Sequence, residues 1–215
     1  MWHTDTRYRS LRQGIAMLQL IEFLGIITFA LSGIVEARRK RMDLVGVYTV
    51  ALITAFGGGT VRDLFLDRTP LFWVANAWYA ILILVMAVAA FLFPGLTRVP
   101  ERAILLPDAL GLGLFSIAGA GFALDAGTSM FIAALLGTTT GVFGGVIRDV
   151  VINEIPFIFR SRYLYATAAF IGCWIYMLLI RAGIEKGLAV LIGIAAVVLL
   201  RLAALRFGLR LPGGH

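Results

Sequence analysis

The sequence predicts an all-α integral membrane protein with seven transmembrane helices, arranged as an inverted 3+3 repeat plus one extra helix. Three observations carry this prediction. First, the 215 residues are 60% hydrophobic and 14% charged, with a mean hydropathy of +0.94; soluble domains run at roughly half apolar and about a quarter charged. Second, seven stretches reach the length of about 20 mostly apolar residues that a helix needs to cross the hydrocarbon core. Third, the chain repeats itself at an offset of 86 residues, as the glycines Gly58 and Gly144 illustrate.

Span one is expected at 17–37. Arg7, Arg9 and Arg12 precede it as they would precede a signal sequence, but Glu36–Arg41 reads EARRKR where a small-residue cleavage site would stand, so the segment is expected to be retained. Spans two and three, at 44–66 and 74–93, complete a first unit over 17–93. Spans four to six, at 105–124, 130–152 and 163–181, form a second unit over 105–181. Span seven, at 187–205, has no partner in the repeat. The connecting segments are short, so 1–215 is expected to be a single membrane domain.

The rest of the composition narrows the function. The lone cysteine, Cys173, lies in an apolar run, and the two histidines, His3 and His215, stand at the chain ends. Nothing resembles a metal cluster or a nucleophile–base set, so neither an enzyme nor a cofactor is expected. The net charge of +7 comes mostly from arginines flanking apolar spans. That pattern points to topology and lipid headgroups, with no nucleic-acid partner. With the N-terminus outside, 12 Lys and Arg fall on the inner side and seven on the outer. The positive-inside rule then predicts N-out, C-in in the cell's inner (plasma) membrane.

The repeat is visible residue by residue. Gly25, Phe29 and Gly33 fall on Gly111, Phe115 and Gly119; Gly58-Gly59 on Gly144-Gly145; Arg62-Asp63 on Arg148-Asp149; Pro70 on Pro156; Tyr79-Ala80 on Tyr165-Ala166. Each unit holds three spans, an odd number, so the second copy enters the membrane from the opposite side. In such proteins the functional site lies near the midplane, between equivalent interrupted helices.

Glycine inside a helix costs up to about 1 kcal/mol relative to alanine. Gly57-Gly58-Gly59 and Gly144-Gly145 are therefore expected to break or kink spans two and five, exposing the carbonyls of Phe56, Gly57, Gly58, Val142, Phe143 and Gly144 to a cation. Gly25, Gly33, Gly111, Gly113, Gly119 and Gly121 are expected to serve close helix packing. Arg62, Asp63, Arg148 and Asp149 are charges inside spans, each costing at least ~2.5 kcal/mol, and such charges mark pathways. Neighbours in a helix do not face each other, so an Arg and the following Asp need not pair. The competing reading is that these are interfacial snorkelling charges held in structural ion pairs. Ser32, Thr54, Thr60, Thr138, Thr139 and Thr140 are candidates for lining a hydrophilic path, although such hydroxyls also bond back to their own helix. Trp73, Trp78, Tyr79, Tyr163 and Tyr165 are expected to be interfacial anchors.

The duplicated three-span unit, the GGG-x-x-RD…P block at 57–70, the GG-x-x-RD…P block at 144–156 and the unpaired seventh span resemble the prokaryotic trimeric intracellular cation channels. That resemblance covers about 17–205. It implies a homotrimer with an ion path in each protomer, shaped by glycine kinks at Gly57, Gly58, Gly59, Gly144 and Gly145, with Arg62, Asp63, Arg148 and Asp149 as the polar pairs that follow. It also implies potassium and sodium as the conducted ions and membrane lipids as partners. The lysine-containing phosphoinositide motif of the animal members is absent. Bacterial relatives have been described as transporters of glycine or another small amino acid, and two arginines facing a substrate carboxylate would suit that alternative.

Overall fold

The structure is a computed structural model that describes residues 3–93, 95, 105–159 and 164–209, with side chains from residue 16 onward. Arg98, Arg102, Arg160, Arg162, Arg210, His215 and Tyr163 lie outside the described residues, as do the side chains of His3, Arg7, Arg9 and Arg12. Among the described residues every regular element is helical. In chain order these are α1 (His3–Arg39), α2 (Leu44–Phe65), a single turn α3 (Phe72–Ala75), α4 (Trp78–Leu92), α5 (Leu105–Asp125), α6 (Met130–Val151), a 3₁₀ turn at Phe157–Phe159, α7 (Tyr165–Arg181) and α8 (Lys186–Phe207).

Five helical segments are long and apolar enough to cross a membrane: Ala16–Arg39, α2, α5, α6 and α8. The third helices of the two units are shorter, with 15 residues in α4 and 17 in α7. At 1.5 Å per residue they span about 22 and 25 Å, somewhat less than the ~30 Å hydrocarbon core. The expected span 74–93 is not one helix. Asn76 leaves helical geometry at φ −129°, and its side-chain amide caps the carbonyl of Phe72 at 2.9 Å, separating α3 from α4.

Local sequence explains the boundaries, and it does so twice. Asp43 caps α2 by accepting from the Gly46 amide at 2.7 Å, and its repeat counterpart Ser129 caps α6 by accepting from the Ile132 amide. The α1 and α5 ends close alike, through Met42 N to Ala37 O and Thr128 N to Ala123 O, both 3.1 Å. The left-handed residue in each closure is Arg41 (φ 58°) or Gly127 (φ 81°). Asp67 and Asn153 play that part after α2 and α6.

α1, α2, α5 and α6 form the centre. α4 flanks α1 and α2, α7 flanks α5 and α6, and α8 lies against α7 and α5. The two units meet through reciprocal contacts, each made once in each direction, as in an isologous interface. Phe29 stacks on Phe115 with ring centroids 5.2 Å apart. Gly25 lies beneath the Phe115 ring and Gly111 beneath the Phe29 ring. Within each unit the first helix packs as closely on the second: a Cβ at Gly33 would stand 2.7 Å from Thr54 Oγ1, and one at Gly119 would stand 2.6 Å from Thr140 Oγ1. Close packing is thus the use made of these glycines, as expected.

The expected breaks at 57–59 and 144–145 are absent. α2 and α6 run through both clusters as continuous helix, so the carbonyls of Phe56, Gly57, Gly58, Val142, Phe143 and Gly144 lie within the helical ladder and are not bared for an ion. The glycines answer a different need. A Cβ at Gly58 would run into the carbonyl oxygen of Thr140, and one at Gly144 would run into that of Thr54. Thr54 and Thr140 are themselves repeat equivalents, so α2 and α6 touch backbone to backbone at two symmetric points. Packing of this kind compensates for the low helix preference of glycine.

This geometry separates neighbouring glycines. Gly58→Ala is expected to lower stability by about 1–3 kcal/mol, because its methyl meets backbone that cannot swing away. Gly57→Ala is expected to be near neutral, because its methyl meets only the mobile end of Ile147, 2.9 Å away, and gains up to about 1 kcal/mol of helix preference. Thermal unfolding of both variants in detergent checks the contrast.

Candidate functional site

Beyond each Gly–Thr contact, in the last turn of α2 and of α6, lies a buried arginine. Arg62 and Arg148 are both fully buried, so they do not snorkel, but the structural ion pairs of that competing reading are present. Each arginine is held by two acids. Arg62 donates through Nε (2.9 Å) and Nη2 (2.7 Å) to Asp63 Oδ1, and through Nη1 to Glu22 Oε1 on α1 at 2.5 Å. Arg148 donates through Nε to Asp149 Oδ1 at 2.9 Å, with its Nη2 2.8 Å from that oxygen; its Nη1 donates to Asp108 Oδ1 on α5 at 2.9 Å and to Ser32 Oγ at 2.6 Å. The other carboxylate oxygen of each aspartate caps the following turn, Asp63 accepting from the Phe72 amide (2.8 Å) and Asp149 from the Phe157 amide (3.1 Å).

The consecutive Arg and Asp therefore do pair, although helical spacing does not require it. Side chains one residue apart diverge along the helix, but a long arginine in the last turn can fold toward the helix end, where the aspartate reaches past it to the next loop. The second acid, Glu22 or Asp108, carries no local sign in the sequence of which residue it meets. The repeat does carry one, because Glu22 and Asp108 stand at the same offset as every other repeat pair.

The remaining candidates divide. Ser32 is in the site as an acceptor for Arg148. Thr54, Thr138 and Thr140 donate back to the carbonyls of Val50, Ala134 and Leu136 at 2.6, 2.7 and 2.6 Å. Thr60 accepts from Trp73 Nε1 at 3.0 Å, and Thr139 is half-buried. In this conformation the three back-bonded threonines tie their hydroxyls to their own helix, and no continuous polar channel through the α2–α6 contact is formed by them. Tyr79 and Tyr165 face the interior and are buried, whereas Trp78 is exposed; of the expected anchors, the two tyrosines are core residues instead.

The two ends differ. Beside the Arg62 cluster a cavity of about 320 Å³ is lined by Gln19, Glu22, Asp63, Arg68, Asn76 and Trp78, among others. Arg68 lies over the Phe122 ring, 4.3 Å from its centroid, with Nη1 3.5 Å from Asp63 Oδ1. Near the Arg148 cluster, buried Arg201 of α8 lies 4.6 Å from the centroid of the Tyr165 ring and 5.7 Å from that of Phe157. In the sequence Arg201 is only one of the 12 inner-side Lys and Arg residues. Among the described residues no group of three or more His, Cys, Asp or Glu is placed to hold a metal ion.

Comparison with known proteins matches this architecture. The sequence model of a family described as "Glycine transporter" matches the chain twice, over residues 19–94 and 105–181. A UPF0126 membrane protein of Vibrio cholerae is 40% identical over 201 residues, 92% of this chain and 82% of that protein. The UPF0126 inner membrane protein YadS of Escherichia coli K12 is 37% identical over 194 residues, 89% of this chain and 93% of that protein. Among solved structures, a trimeric intracellular cation channel orthologue from Rhodobacter sphaeroides superposes with a TM-score of 0.84 at 39% identity, covering 90% of this chain and 99% of that one. A prokaryotic channel of the same kind, crystallised in 0.5 M KCl, superposes at 0.82 with 29% identity, covering 92% and 100%.

The clusters give a stability prediction. Removing one member of a buried charged group leaves the others uncompensated, at a cost of about 3–5 kcal/mol. Arg148→Met is expected to fall in that range, and Asp108→Asn below it, because the amide still offers an acceptor to Nη1. The double variant Arg148→Met with Asp108→Asn is expected to lose less stability than the two single losses added together. Thermal unfolding midpoints of the four proteins in one detergent test this.

Proposed function

We propose a cation channel for this chain, which belongs to the glycine transporter family of UPF0126 membrane proteins and is a prokaryotic member of the trimeric intracellular cation channel family. The observation that carries the proposal is the 39% identity and 0.84 TM-score to a solved channel of that family over nearly its full length. In this reading the two units, 17–93 and 105–181, are inverted in the membrane, and 187–205 is the added seventh span. The protein conducts potassium and sodium, each protomer of a homotrimer carries its own path, and lipids surround the trimer. The N-terminus lies outside the inner membrane and the C-terminus in the cytoplasm, following the twelve-to-seven charge asymmetry.

The path runs between α2 and α6, bounded at its two ends by the Arg62–Asp63 and Arg148–Asp149 clusters. Gly58 against Thr140 and Gly144 against Thr54 leave no room for an ion at the crossing. Conduction then requires α2 and α6 to part, which would also free the hydroxyls and carbonyls of that stretch for an ion to use in place of water. A second reading, transport of glycine or another small amino acid, is favoured by the description of the family model that matches both units.

Reconstituted protein is expected to pass potassium down a gradient in liposomes, whether or not glycine is present. Gly57 and Ile147 face each other across the crossing. Oxidising the Gly57→Cys, Ile147→Cys variant is therefore expected to stop the flux reversibly, and unchanged flux would refute separation of α2 from α6. Cysteine labelling is expected to reach residue 40 from the cytoplasm only and residue 127 from outside only. Native mass spectrometry is expected to show trimers, and monomers alone would refute the assembly.

A further inference from the structure

The duplication gives α1 and α5 equivalent faces, so a change of chemistry along those faces marks a change of use. On α1, Ser32, Glu36 and Lys40 are spaced by four residues, which sets them on one face of the helix. Their partners lie at the end of α6, in the other unit. Ser32 Oγ accepts from Arg148 Nη1 at 2.6 Å. Glu36, one turn on, pairs with Arg39 at 3.3 Å and lies within electrostatic reach of Arg148. Lys40 Nζ donates to Glu154 Oε1 at 2.5 Å, with both side chains 40% exposed. The equivalent positions on α5 are Ala118, Phe122 and Ala126. None of these side chains can accept a hydrogen bond or pair with a charge. Phe122 instead meets Arg62 and Arg68, whose guanidinium carbons stand 4.5 and 4.3 Å from its ring centroid.

We propose that the Lys40–Glu154 ion pair is a latch that holds the α2–α6 path closed at its Arg148 end. Lys40 stands just before α2 begins at Leu44, and Glu154 just after α6 ends at Val151. The pair therefore spans the two helices that have to part, at the mouth between them. The Ser32–Arg148 bond lies below it in the buried interior and joins the same two units. These two layers suit different tasks. A bond from a charged donor in a buried place is strong and keeps the units in register. An ion pair half open to water is weak enough to break and re-form readily, as a latch must. At the other mouth the residues equivalent to Lys40 and Glu154 are Ala126 and Arg68, and Arg68 is turned to Asp63 of its own unit, with Nη1 3.5 Å from Oδ1. No ion pair can join the units at those two positions. What the latch controls rests on the channel reading; the contact itself stands on geometry.

The test is a charge swap, read by potassium flux from liposomes and by the thermal unfolding midpoints of the same proteins. Lys40→Glu and Glu154→Lys each set like charges across the mouth. Each is expected to raise the flux roughly two- to fivefold, the equilibrium shift that an exposed ion pair can supply. The double variant, Lys40→Glu with Glu154→Lys, rebuilds the pair in reverse and is expected to return the flux to the wild-type level. A role confined to either residue alone would give no such rescue. Both positions are at the surface, so the single variants are expected to fold, and the midpoints verify it. Single variants that conduct as the wild type does would overturn the latch and leave the channel standing. So would a double variant no closer to the wild type than the single ones. Absence of potassium flux in the wild type would overturn the channel reading and the gating role together. In that case midpoints that fall in the single variants and recover in the double would still establish the tie between the units, and midpoints without recovery would overturn the tie as well.

Discussion

Everything in this molecule is arranged around two points at which α2 and α6 touch backbone to backbone. Gly58 sits on the carbonyl of Thr140, Gly144 on that of Thr54, and a single methyl at either place would collide. In lipid there is no hydrophobic gain from bringing helices together, so close van der Waals approach is the main attraction available, and only small residues permit it. The contact also fixes the register of the two units. With those points set, Phe29 meets Phe115 and Gly25 and Gly111 receive the opposing rings, while Gly33 and Gly119 receive Thr54 and Thr140 of their own units.

The buried arginines follow from that register. A guanidinium taken wholly out of water is tolerable only when its donors are met by acceptors of opposite charge. Each is met once by the next residue in sequence and once by an acid on the first helix of its own unit, Glu22 for Arg62 and Asp108 for Arg148. Each cluster thereby ties the end of the second helix to the first, while the same aspartate pins the loop that follows. Ser32 is the exception to this pattern: it comes from the first unit and reaches Arg148 in the second, linking the cluster across the central contact.

Within this near-symmetry the asymmetries carry the chemistry. α8 packs on α5 and α7 and brings Arg201 against Tyr165, with no equivalent helix over the first unit. Arg68 lies above Phe122 and beside Asp63, whereas its counterpart Glu154 turns outward to Lys40. Among the described residues, one end of the protein thus has a cavity lined by Gln19, Glu22, Arg68 and Trp78, and at the other the unpaired helix sets Arg201 against Tyr165.

The sequence alone determined the membrane class, the doubling of the chain and the positions of most helices to within a few residues, although α1 begins at His3 rather than near 17 and the expected 74–93 divides into α3 and α4. Those features depend on composition and periodicity, which are local. What the glycines do was decided only by tertiary structure. Glycine is both a weak helix former and the smallest residue, and the stretch GGGTVRD is consistent with a break or with a close crossing. The choice rests on what stands opposite, and the carbonyl of Thr140 lies 82 residues away in the chain. The same reason hid the partners of Arg62 and Arg148, because an acid in an apolar span has no local sign of whom it meets. Tyr79 and Tyr165 look like interfacial anchors by their position after a proline loop, yet each is turned inward by the helices packed around it. Side-chain identity sets what a residue can offer, and the fold sets which of its properties is used.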